Sequence, residues 1–167
     1  MAMQSPSAER RFQKFDARVV VDPTVDYTIV GGRFSPVSSI DLTKQSVLLS
    51  VAGGADFRLV LAAGSFHRTV LGGYVACEKH KSCRTDVLLQ PFSTGEWSYS
   101  IGIEGFTAGG KPVTVSLRVG SQSGSAKVKV YTIDSGSTEM IPSSDADVVT
   151  TSTNAKARGV KAPSRDN

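Results

Sequence analysis

Apolar and polar residues alternate with a period of two along most of the chain, the signature of strands with one buried face. The clearest instance is 46–61. Val47, Leu49 and Val51 share one face, Gly53-Gly54-Ala55-Asp56 turns the chain, and Phe57, Leu59 and Leu61 share a face on the return. A strand at 18–22 is stopped by Pro23, and another at 27–30 ends at Gly31-Gly32. Residues 66–71 form the next strand and turn at Gly72-Gly73 into 74–77, with 83–90 returning after a five-residue loop. In 96–105, Trp97, Tyr99, Ile101 and Ile103 are in phase, and in 112–119 so are Val113, Val115, Leu117 and Val119. After Gly120–Gly124 the strand 126–133 puts Ala126, Val128 and Val130 inward and Lys127 and Lys129 outward.

This pattern predicts about nine or ten short strands and no amphipathic helix. The expected fold is all-β, an antiparallel β-sandwich of Ig-like or jelly-roll-like type, with a barrel-like pair of sheets as the alternative. The sandwich is expected over 17–133. Residues 1–16 read as an N-terminal extension without a strand pattern, Phe12 and Phe15 being their only large apolar groups. Residues 134–167, rich in Ser, Thr, Asp and Lys, read as a flexible polar tail or linker, with at most a weak strand near Val148-Val149.

Two segments resemble each other at an offset of about 68, one starting at Phe34 and one at Phe106. Each holds a Phe, a loop, a strand, a glycine-containing turn and a return strand. A duplicated hairpin burying its face against its copy would make the sandwich pseudo-symmetric.

Composition supports this picture. The chain has 167 residues, 40% of them apolar and 20% charged, enough for one ordinary core and too apolar for a fully disordered chain. Sixteen Gly, 22 Ser and 20 Val favour turns and strands over helices. No apolar run is long enough for a membrane-spanning helix. The net charge of +4 is spread along the chain rather than gathered in a stripe, so no nucleic-acid partner is expected. The first residues contain no apolar leader core, so no signal peptide is present in the chain as given. A cytosolic protein and a piece of a longer, exported one both remain open.

LeuAlaAlaGlySerPhe (61–66), Gly73-Tyr74 and the run from Val115 to Gly124 (VSLRVGSQSG) together resemble an uncharacterised β-rich module of bacterial proteins, over roughly 40–131. That resemblance implies an exported or surface-attached setting, extracellular or periplasmic, often beside other β-modules, and no enzymatic activity. The chain departs from the pattern at Ala62, where the module often has Pro. It departs again at Ser121 and Gln122, where acids are common and where a cation site would need them.

Candidate chemistry is sparse. Cys77-x-x-His80-x-x-Cys83 is the most distinctive feature. With His67 as a fourth ligand it would suit zinc, although no metal is the favoured reading. As hairpin partners at the base of the loop, Cys77 and Cys83 would form a cross-strand disulfide in an exporting compartment. Two free thiols are the third possibility. Lys79, His80, Lys81 and Arg84 make the same loop basic, a candidate anion or glycan contact or simply a solvated tip. Trp97 and Tyr99 would stack on a sugar if exposed, or pack in the core with Ile101 and Ile103. Ser65 beside His67 lacks a positioned acid, Asp56 and Asp86 make no defined pair, and 120–124 has Gln122 where a nucleophilic Ser would stand. Neither a phosphate loop nor an HExxH motif is present, so no cofactor is expected. The expected function is a non-catalytic structural or interaction module with a protein or glycan partner. The alternative is a carbohydrate- or anion-binding domain using Lys79, His80, Lys81, Arg84 and Trp97, with a small hydrolase third.

Overall fold

The computed structural model of the chain describes residues 8–54, 56–80, 83–133 and 140–142. The strands are β1 (Arg10–Arg11), β2 (Lys14–Phe15), β3 (Arg18–Asp22), β4 (Tyr27–Ser35), β5 (Val47–Ala52), β6 (Phe57–Leu61) and β7 (His67–Arg68). They continue with β8 (Tyr74–His80), β9 (Cys83–Pro91), β10 (Trp97–Glu104), β11 (Val113–Val119), β12 (Gln122–Val128), β13 (Val130–Ile133) and β14 (Met140–Pro142). They form two open sheets packed face to face, an all-β sandwich and not a barrel. The first sheet has the order β1-β12-β11-β5-β6. The second has the order β14-β13-β3-β4-β10-β9-β8-β7, with β2 also on β4.

The alternation read from the sequence is the alternation of burial. Val47, Leu49 and Val51 of β5, Val113, Val115, Leu117 and Val119 of β11, and Tyr99, Ile101 and Ile103 of β10 are all buried. Their neighbours Ser50, Ser116, Arg118 and Ser100 face out. Each large aliphatic group withdrawn in this way contributes about 1.5–3 kcal/mol, so the two inner faces supply most of the stabilisation.

The repeat has a structural counterpart of a different kind from the expected one. The β5–β6 and β11–β12 hairpins do not stack face to face. They lie edge to edge in one sheet, β5 antiparallel to β11 with Leu49 opposite Leu117. The strands that precede them, β4 and β10, are likewise antiparallel neighbours in the second sheet, with Val30 opposite Ile101. The central orders β12-β11-β5-β6 and β3-β4-β10-β9 are thus palindromic, and each copy contributes strands to both sheets. The β10–β11 and β4–β5 crossovers are each pinned by a distant part of the chain. Buried Thr28 donates to the Phe106 carbonyl (2.7 Å), and Asp26 accepts from the Thr107 hydroxyl. Buried Gln122 accepts from the Val37 and Ser38 amides (2.7 and 3.2 Å) and donates to the Ser38 carbonyl (3.1 Å).

Several boundaries differ from expectation. Residues 10–15, read as an extension without strands, form β1 and β2. They run beside the β12–β13 segment, β1 parallel to β12 and β3 parallel to β13, so two stretches of chain switch sheets together. The sandwich is therefore not wholly antiparallel. Phe12 belongs to the core, with its ring 4.7 Å from that of Phe34, and Phe15 stacks on Tyr99 at 5.8 Å. Gly124 makes this possible, since a Cβ there would come within 2.6 Å of Phe15 Cγ and 2.9 Å of Phe12 Cδ2. Strand β4 runs through Gly31-Gly32 rather than stopping there. A Cβ on Gly32 would lie 2.2 Å from the Asp16 carbonyl oxygen, so this glycine serves a close chain approach and not a turn.

The predicted strand at 66–71 shrinks to β7. A tight turn closes behind it, with Gly72 N–H on the Thr69 carbonyl and Thr69 N–H on the Gly73 carbonyl, leaving Val70 and Leu71 fully exposed. The turn at 120–124 contracts too, because β12 starts at Gln122. Of the predicted tail only β14 is described, paired with β13; the weak strand near Val148-Val149 lies outside the described residues.

Candidate functional site

The outward positions of the second sheet form a surface with an unusual make-up. Down its middle, on β4 and β10, stand the small residues Gly31, Ser98 and Ser100, while the Tyr27 ring covers Gly102. On one side rise Val20 of β3 and Ile29 of β4, and on the other Leu88 of β9 and Val75 of β8. The register aligns them, with Val20 opposite Ile29, Ile29 opposite Gly102, and Ser100 opposite Leu88, itself opposite Val75. The low centre and higher flanks make a furrow. A cavity of about 420 Å³ lies on each side of it, one bounded by Val20, Ile29 and Gly31, the other by Val75, Leu88 and Ser100. Ile29, Val75 and Leu88 keep 38%, 38% and 40% of their surface in water. Apolar residues at outward positions depart from the clean polar-out alternation of a solvated sheet.

Charged groups ring the furrow. Arg84 pairs with Asp86 (3.6 Å), which also lines the cavity beside Leu88, and at the other end Arg33 pairs with Glu96 (3.6 Å) while lying 5.4 Å above the Phe92 ring. The Arg84 guanidinium is held above its ordinary value first by its hydrogen bond with Cys77 and then by the charge of Asp86.

The residues singled out from the sequence do not converge. The β8–β9 hairpin continues past the expected loop, so Cys77 stands opposite Asp86, and Cys83 opposite His80. Three residues of strand separate the two cysteine positions, about 10 Å along the chain direction, against the roughly 7 Å between Cα atoms that a disulfide tolerates. The expected Cys77–Cys83 bond is therefore corrected, and Cys77 is an exposed free thiol. The side chains of His80 and Cys83, which the zinc spacing also needs, lie outside the described residues. Lys81 and the side chains of Lys79 and His80 lie outside the described residues. Arg84 is exposed on the outer face, seven positions along β9 from Pro91, the partner of Trp97. That is about 23 Å, and Trp97 points the other way. Its ring stacks between Phe34 (6.3 Å) and Tyr74 (5.9 Å), packed against the core, so the basic loop and the indole form no single site.

The weak catalytic candidates are likewise apart. Asp56 caps its hairpin turn by accepting from Gly53 N–H (3.1 Å) beside the first sheet, while Asp86 sits in the second with Arg84. His67 lines the furrow wall with Cys77 and Asp86, whereas Ser65 precedes β7. Gln122 is a structural clamp rather than a site residue. What sequence reading missed was the furrow itself. Ile29, Val75 and Leu88 were legible as the out-of-phase apolar residues of their strands, but only pairing puts them on one face. No protein-family model, curated protein or solved structure matches the chain.

Proposed function

We propose that this chain is a non-catalytic interaction module, part of a bacterial exported or surface-associated protein, and that it docks a protein partner on the outer face of its second sheet. The supporting observation is the apolar furrow walled by Ile29, Val75 and Leu88 and rimmed by Arg84–Asp86 and Arg33–Glu96. Burying those walls against a complementary ridge would add hydrophobic stabilisation that a solvated face forgoes. The exported setting rests on the resemblance of 61–66, 73–74 and 115–124 to bacterial β-modules. The alternative, a glycan site built on Trp97 and the 79–84 loop, is weakened by the stacked position of Trp97.

Site-specific photocrosslinking in the native host tests the reading. A crosslinker at position 88 should give one adduct, identified by mass spectrometry, that disappears when Ile29→Asp is added; a crosslinker at position 58, on the other sheet, should not give it. The same diffuse adducts from both positions would sink the docking surface. Recovery of the protein solely in the cytosol would sink the exported setting.

A further inference from the structure

The opposite face of the sandwich has a different chemistry. The strands of the first sheet carry Arg10, Arg11, Arg58, Arg118 and Lys127 and not one Asp or Glu. The second sheet's strands mix both signs, with Asp22, Asp86 and Glu104 among their cations. Single-sign charge on one face is what distinguishes a ligand-facing surface from an ordinary solvated one.

Register orders these groups. Ser125 lies opposite Ser116, Ser116 opposite Ser50, and Ser50 opposite Arg58, so three hydroxyls and a guanidinium form a line across four strands. Beside it runs a second line, Arg11 opposite Ser123 and Ser123 opposite Arg118. On the other side of the hydroxyl line, two positions along β12 from Ser125, stands Lys127. At about 4.8 Å per strand the hydroxyl line is roughly 14 Å long, and Arg11 and Arg118 are about 10 Å apart. A groove of about 710 Å³ opens here, bordered by Arg11, Arg118, Ser116, Ser123 and Ser125, with Glu9 its one carboxylate among the described residues.

We infer that this face binds an acidic polysaccharide laid across the strands, its sugar hydroxyls on the serine line and its anionic groups on the flanking cations. Length argues for a chain rather than a single small ion, and hydroxyls between cations suit a ligand that alternates hydroxyl and anion. Nucleic acid is the poorer fit, because bases need a free aromatic face to stack on. The rings that border the groove, Phe12 and Phe15, are already stacked on one another and on Phe34 and Tyr99. The site lies on the opposite sheet from the furrow, and neither reading depends on the other.

Biolayer interferometry of the full chain on immobilised heparin, polygalacturonate and dextran at low salt tests the inference. Binding to one or both acidic polymers and none to dextran is expected, and the preferred polymer tells sulfate from carboxylate. Arg11→Glu with Lys127→Glu should weaken binding tenfold or more. Arg33→Glu with Arg68→Glu, an equal charge change on the second sheet, should weaken it less than threefold. Arg58→Glu, at the far end of the hydroxyl line, provides an independent variant should the first pair melt early. Absence of binding to both acidic polymers, equal losses from the two pairs, or tighter binding of oligo(dT) than of either polysaccharide would overturn the assignment.

Discussion

Gln122 and Ser38 hold each other by both ends. The Gln122 amide nitrogen donates to the Ser38 carbonyl at 3.1 Å, and its oxygen accepts from the Ser38 amide at 3.2 Å and the Val37 amide at 2.7 Å. The side chain is fully buried, so water cannot replace these bonds if it is lost. Gln122→Ala should therefore destabilise the protein by about 2–3 kcal/mol, from orphaned backbone groups and a small cavity together. Urea unfolding would measure it. A loss below about 0.5 kcal/mol would show that the β4–β5 crossover is held by something else.

The N-terminal segment should behave as part of the sandwich. Deleting 1–16 removes Phe12 from the core and Phe15 from Tyr99, and should cost about 3 kcal/mol or more. Gly124→Val pushes a side chain into the same two rings and should cost about 2 kcal/mol. Adding Phe15→Ala should recover part of that loss in a double-mutant cycle. Simple additivity of the two substitutions would mean that Phe15 does not rest on Gly124.

Alkali should expose the buried phenol. Tyr99 donates its hydroxyl to the Asp16 carbonyl at 2.8 Å, and burial, aided by the Asp16 carboxylate, raises its pKa well above the ordinary value. A group whose folded pKa is raised contributes fully below its unfolded pKa and loses that contribution as pH rises. Stability should then fall from about pH 10 upward. Tyr99→Phe should flatten that decline, at a cost near 1 kcal/mol at neutral pH for the lost hydrogen bond. Equal alkaline slopes in the two proteins, followed by denaturant midpoints, would rule the phenol out as the cause.

The thiol prediction follows from register. Cys77 faces Asp86 and is exposed, so it should react with a disulfide reagent in the native protein. Air-oxidised monomer should keep its reduced mass, and Cys77→Ser should leave the melting temperature within a degree or two. A monomer lighter by two hydrogens would contradict the β8–β9 pairing.

Much of the sandwich was legible in the chain because period-two alternation is local: Val113 to Val119 and Trp97 to Ile103 carry their own inward face whatever they pair with. The hairpin turn at 53–56 was legible for the same reason, since Gly53 and Asp56 suit it without outside help. Long-range pairing is not local. Arg10 to Phe15 alternate too briefly to read as strands, and they become strands only because β12, β4 and the pocket over Gly124 receive them. Gly31-Gly32 looks like a turn until the Asp16 carbonyl is placed against it. The spacing of Cys77 and Cys83 suggested facing partners, and a hairpin longer by three residues on the first strand separated them. Both candidate surfaces belong to this second class. Ile29 and Leu88, or Ser50 and Ser116, are far apart in the chain, and only strand order sets them on one face or in line. Sequence alone determined the inward face of the longer strands, though not the burial of Phe12 or Gln122. Tertiary structure decided which exposed residues would be neighbours, because that depends on cross-strand register, and a shift of one residue would turn every side chain to the other face.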